Sequence, residues 1–145
     1  AFRSSEGNEL KRDFEHRVAV LEEKLEEVIS IDPERLDAVR TRLDKAIQDL
    51  KSDVDEKRLE PELIYYLEKL DITEEKVRLN KHLSYFIYSL NEKDTKGKKL
   101  GFISQEMGSD IKTIGSKAYF APMQKVVVEM KDELEKIKEQ LLNVL

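Results

Sequence analysis

Two small groups of polar residues have types and spacing that suit chemistry. The first is Glu75, His82 and Phe86, with Arg78 to one side; at 100° per residue the three lie within about 20° of one helical direction. A histidine at the edge of an apolar stripe, with a carboxylate beside it, is placed to exchange a proton near neutral pH. A satisfied structural histidine has the same spacing. The second group is Phe102, Glu106 and Asp110 at i, i+4 and i+8, which sets two carboxylates one turn apart. Such a pair repels itself unless a cation shares it, and carboxylates on a divalent cation are a common basis for phosphodiester cleavage. Other chemistries are absent. The chain has no phosphate-binding P-loop, no dinucleotide glycine fingerprint, no HExxH and no EF-hand loop. With no cysteine, and with His16 and His82 as its two histidines, it lacks a disulfide framework, a thiolate nucleophile and the means for an all-protein zinc site. His16 sits among acids and reads as plain surface, and Ser116 has no histidine at a short fixed spacing.

Basic residues that could accompany a phosphate gather in one stretch. From Lys93 to Lys117 there are six lysines against Asp94, Glu106 and Asp110, which reads either as a phosphate-contacting surface or as a solvated loop and helix face. The chain as a whole is acidic, with net charge −5, and the excess lies in residues 1–60. No apolar run approaches the roughly 18 residues a membrane span requires. Charged and hydrophobic residues each make up 39% of the 145, with 5 Gly and 3 Pro; that balance is too apolar for disorder and too poor in helix breakers for anything but a mostly helical chain. No signal-peptide pattern opens it, so a reducing cytosol is the expected compartment.

The elements that must position these groups follow from apolar spacing. Leu10, Phe14, Val18, Leu21, Leu25 and Val28 recur every three or four residues and predict a helix over 5–29. Pro33, with Asp32 as N-cap, is expected to open a second helix over 33–59, carrying Leu36, Val39, Leu43, Ala46, Leu50 and Val54. A short turn between the two makes an antiparallel hairpin. Pro61 opens a short apolar segment ending near Leu70. Asp71 and Glu74 have the spacing of a capping box at the head of a helix over 73–91. A lysine-rich loop from Asn91 to Gly97 precedes a helix over 98–113, broken near Gly115-Ser116. The last helix, 121–144, places Val127, Met130, Leu134, Ile137, Leu141 and Val144 at near-heptad spacing, as a core helix or a partner-binding one. The fold class is all-α: a long antiparallel helical hairpin (1–60) followed by a helical domain (61–145).

Three ordered blocks also resemble the bacterial YicC family. Asp71-Ile72-Thr73-Glu74-Glu75, then Arg78-Leu79, His82 and Phe86, are similar to one signature of that family. Gly97-Lys98-Lys99-Leu100, Phe102, Gln105-Glu106-Met107 and Gly115-Ser116-Lys117-Ala118 are similar to a second. Val127 to Gln140 looks like the family's final helix, and Phe2 to Leu10 resembles its middle helices. The departures are Gly108-Ser109-Asp110-Ile111-Lys112, where the family pattern has Asn-Arg-Glu-x-Asn, and Tyr119-Phe120, where it has Asn-Asp. Lys112 then stands in for an arginine as a point charge, and Phe120 offers no metal ligand. Because family members are about twice as long, the resemblance implies a C-terminal portion, consistent with the absence of an initiating Met. It further implies a cytoplasmic endoribonuclease that cleaves RNA and assembles as a homo-oligomer. Residue chemistry then assigns His82 as general acid/base, Glu75 as the group that orients it, and Glu106 with Asp110 as ligands of Mg²⁺ or Mn²⁺. Arg78, Lys98, Lys99, Lys112 and Lys117 are the expected phosphate contacts. DNA and membranes are not expected partners. The competing expectation is a non-catalytic helical module for oligomerisation or RNA binding.

Overall fold

The computed structural model describes residues 5–49, 56–94 and 97–144, and all regular structure among them is helical. Five helices follow in order: α1 (Ser5–Asp49), α2 (Glu56–Lys69), α3 (Thr73–Leu90), α4 (Gly97–Ala118) and α5 (Ala121–Leu141). The first half of α1 packs with α3, α4 and α5 into a four-helix bundle. Cross-helix contacts give the directions. Phe14 meets Phe86 edge-on at 5.7 Å, while Asp32 at the other end reaches Lys76, so α1 and α3 are antiparallel. Glu75 with Lys117 and His82 with Asp110 set α4 antiparallel to α3. Arg17 with Glu133 and Lys24 with Glu129 set α5 antiparallel to α1. Each neighbour therefore runs opposite to the next, the up-and-down arrangement that short connections favour.

The stripes read from sequence line the core. Phe14, Val18, Leu21, Leu25 and Val28 join Leu79, Leu83 and Phe86 of α3, Leu100, Ile103, Met107 and Ile111 of α4, and Met130, Leu134 and Ile137 of α5. The heptad stripe of α5 is thus internal core. Gly115 lets α4 and α5 approach closely, since an added Cβ would stand 3.0 Å from Val127 Cγ1. Between α4 and α5 only Tyr119 and Phe120 intervene, and Tyr119 takes φ 46 to reverse the chain.

Three local expectations are corrected. The hairpin of 5–29 and 33–59 is not formed: α1 runs unbroken for 45 residues with Pro33 inside it. An interior proline costs roughly 3 kcal/mol through its missing N–H and its clash with the preceding turn, but ties on both sides of Pro33 hold the helix on course. Asp32 and Arg35 are buried and bonded to each other at 2.8 Å, and both also bond to other helices. Past Pro33 the helix leaves the bundle; Val39, and Leu63 of α2, are buried outside the main core. Residues 50–55, including Leu50 and Val54, lie outside the described residues. The capping box is absent as well: Ile72 is the N-cap of α3 without a side-chain cap, and Asp71 Oδ1 instead accepts from Thr73 Oγ1 at 2.7 Å. Finally, α4 continues through Gly115-Ser116 to Ala118. Its last carbonyls are satisfied from outside, by Gln124 on Gly115 and by Arg35 on Lys117.

Candidate active site on the α3–α4 seam

The seam between α3 and α4 carries most of the polar residues singled out from sequence. His82 projects from the middle of α3 toward α4, where its Nδ1 lies 2.5 Å from Asp110 Oδ2. Asp110 is 4% exposed, while the histidine side chain keeps about a quarter of its surface. A carboxylate on Nδ1 fixes the ring orientation and favours the tautomer that leaves Nε2 free to accept a proton. His82 has no second partner among the described residues. Burial pushes the Asp110 carboxyl above its ordinary range; the hydrogen bond and charge of His82, then Arg78, pull it down, and Glu106 one turn away pushes it up again. The four residues His82, Asp110, Arg78 and Glu106 therefore form one electrostatic cluster.

Glu75 is placed differently from the expectation. It does not orient His82; Asp110 from the neighbouring helix does. Glu75 Oε1 instead accepts from Lys117 Nζ at 2.8 Å, and its buried Oε2 has no partner among the described residues. Lys117 also donates to the Asp71 carbonyl at 3.2 Å, so this lysine is engaged in closing the end of the seam rather than offered to a phosphate. The positions 75 and 82 do share a face of α3, but that face is filled by α4, whose side chains compete for both.

The remaining cations divide between two sides of α4. Arg78 is exposed and paired with Glu74 at 2.8 Å. Lys98 is exposed. Lys99 pairs with Glu92 at 2.9 Å and stands 5.1 Å from the Tyr85 ring centre. Arg78 and Lys99 belong to the α3 side, whereas Lys98 lies about 120° around α4 from Asp110, toward solvent. Lys112, two residues past Asp110, turns the other way, into a groove of about 470 Å³ between α4 and α5 lined also by Ser109, Lys131 and Lys138. It is separated from His82 by the body of α4.

A divalent cation finds a sparse donor set here. Asp110 is engaged by His82, which leaves the half-buried Glu106 as the open carboxylate. Among the described residues no group of three or more His, Asp or Glu is arranged to hold a metal. A Mg²⁺ ion held by Glu106 would depend on water and phosphate oxygens for the rest of its shell, as is usual for that ion.

A network absent from the sequence reading joins the same end as Glu75. Arg35 is fully buried. It donates to Asp32 at 2.8 Å, to the Leu70 carbonyl at 2.8 Å and to the Lys117 carbonyl at 2.8 Å, while Lys76 reaches Asp32 at 3.0 Å. One side chain thereby fastens α1 to the ends of α2 and α4. Its signal was present in the spacing. Arg35 falls at i+7 from Val28 and i−4 from Val39, a stripe position where a charge must find partners.

The family described as endoribonuclease YicC-like, C-terminal, matches residues 28–145. A protein of Clostridioides difficile named probable endoribonuclease YicC is 37% identical over 98% of the chain. One of the same name from Haemophilus influenzae is 30% identical over 99% of it. The chain spans about half the length of each. No helix among the described residues is long and apolar enough to cross a membrane. With its helical bundle and with residues 28–145 matched, the chain belongs to the YicC-like endoribonuclease family, as its C-terminal part.

Proposed function

We propose that the chain carries an RNA-cleaving site of the endoribonuclease type, in which His82 moves the proton. The observation that carries this reading is the contact of His82 Nδ1 with the buried Asp110 carboxylate. In RNA the 2′-hydroxyl is the nearest nucleophile to the phosphorus. His82 Nε2 takes its proton, the freed oxygen attacks phosphorus, and the P–O5′ bond breaks. A 2′,3′-cyclic phosphate remains on one product; the 5′-oxygen of the other leaves with a proton from solvent, and His82 returns its own. Asp110 stabilises the transient imidazolium, the kind of support that makes a positioned histidine worth about 10²- to 10⁴-fold in rate. Arg78, Lys98 and Lys99 offset the phosphate charge. A Mg²⁺ or Mn²⁺ ion at Glu106, if bound, would add to that neutralisation.

DNA lacks the 2′-hydroxyl and is expected to survive. A cytoplasmic setting, where RNA is plentiful, accords with this reading. Self-association is also part of the proposal, because Ile64, Tyr65 and Tyr66 of α2 are exposed and a second copy would cover them; sedimentation showing only monomer at tens of micromolar would remove that part. The decisive experiment follows a structured RNA with the parent chain and with His82→Ala, with and without EDTA. Equal cleavage by both proteins would sink the site. Binding by the parent without any cleavage would favour a non-catalytic RNA-binding module.

A further inference from the structure

We infer that Tyr85, Tyr88 and Phe102 form a stacking shelf for unpaired bases beside the His82–Asp110 pair, so that the substrate is RNA in single-stranded form. This rests on the RNA reading above and adds to it the conformation of the strand.

The shelf is built from helical spacing. Tyr85 lies about one turn along α3 from His82, and Phe102 about one turn along α4 from Glu106. Both flank the seam on its solvent side. Tyr85 is 45% exposed, Tyr88 67% and Phe102 68%, whereas Phe14 and Phe86 on neighbouring faces are fully buried. Tyr85 and Tyr88 are nearly parallel, with ring centres 6.4 Å apart and planes at 20°. Lys99 stands over the Tyr85 ring, Lys98 lies one turn from Phe102 on α4, and Arg78 and Lys98 are both exposed.

Three uncovered aromatic rings among cations, continuous with a candidate phosphodiester site, have the two parts that single-strand binding uses. Ring faces take the bases and ammonium or guanidinium groups follow the backbone. An aliphatic protein partner would match the rings but not the cations. A duplex would match the cations, but its base faces are already stacked on one another and present nothing to the rings.

The test measures binding of the purified chain to a labelled 12-nucleotide single-stranded RNA, to the same sequence as a blunt duplex, and to inorganic polyphosphate, which carries charge without bases. The parent is expected to prefer the single strand. Tyr88→Ala and Phe102→Ala should each weaken single-strand binding by roughly 5- to 100-fold, with duplex and polyphosphate binding unchanged. Tyr88→Phe should restore the parent affinity. Both positions are exposed, so helix content by circular dichroism should match the parent in every variant. No loss on the single strand, or an equal loss on all three ligands, overturns the shelf and leaves the RNA reading standing. A parent chain that binds neither RNA form overturns both.

Discussion

Two buried carboxylates lie on the α3–α4 seam, and what each one meets sets its use. At the end of the seam Glu75 meets Lys117, and the pair is surrounded by further fixed bonds among Asp71, Arg35, Asp32 and Lys76. In the middle Asp110 meets His82, whose charge is exchangeable and whose second nitrogen is left over. The end ties α1 to α3, α4 and the end of α2, with Glu75 Oε2 still lacking a partner among the described residues. The middle keeps one unfilled proton acceptor, His82 Nε2, and a substrate hydroxyl can donate to it. The polar residue types along the seam are similar; the difference is whether the partner can give up its proton.

Substitution should separate the two. His82→Asn in the middle, whose amide can keep a donor on the buried Asp110, is expected to lower RNA cleavage by about 10²- to 10⁴-fold with little change in thermal midpoint, measured by a cleavage time course beside a melting curve. Arg35→Ala at the end should do the opposite. It leaves Asp32 with Lys76 alone and the Leu70 and Lys117 carbonyls without the guanidinium, a loss of about 3–5 kcal/mol in stability, read from urea unfolding.

Asp110→Asn sharpens the contrast through pH. The folded pKa of Asp110 is raised, chiefly by burial, so the native state binds its proton more tightly than the unfolded chain does. That favours folding below the ordinary carboxylate range and is lost as pH rises through the raised value. Activity follows the other direction, because only the ionised carboxylate supports an imidazolium. The Asn variant should therefore lose cleavage by at least about 10²-fold, and the falling stability with pH over that window should flatten.

Lys117→Met, which strands Glu75, should cost about 2 kcal/mol and leave the cleavage rate per folded molecule unchanged. The smallest effect is expected from Lys98→Ala and Lys99→Ala. Each should reduce the salt dependence of RNA binding by roughly one unit of slope per lost phosphate contact.

Much of the bundle was legible because its stripes are local. Leu79, Leu83, Phe86, the α1 stripe from Phe14 to Val28, the α4 stripe and the α5 stripe from Val127 to Leu141 are core residues by periodicity alone and are buried. Leu10 and Val144 are half-buried, and past Pro33, Leu36 and Leu43 are half-buried and Ala46 is exposed. The site was legible only as an inventory. His82, Asp110, Glu106 and Arg78 were each singled out, but the pairing of His82 was assigned along its own helix, to Glu75. The actual partner comes from the helix packed alongside, 28 residues away, and helical spacing carries no information about which neighbour fills a face. The same blindness explains Pro33. Its local preference is to start a helix, and what carries α1 past it is a set of bonds to α2, α3 and α4 that no window of sequence contains. Lys112 shows the converse case. Two residues from Asp110 is adjacent in sequence and nearly opposite around a helix.

The unbroken α1 bears on where this protein can be cut. The match to the family's C-terminal segment begins at residue 28, in the middle of that helix, yet Phe14, Val18, Leu21 and Leu25 lie before it and sit in the same core as α3 and α5. A truncation that followed the recognisable segment would remove a wall of the bundle, uncover Phe86 and Leu83, and leave Val28 as the last core residue on a frayed end. The unit that folds is longer than the C-terminal segment matched at 28–145, and expression of residues 28–145 alone is expected to give aggregates or a loosely packed helical state, where a boundary before Ser5 keeps the bundle closed.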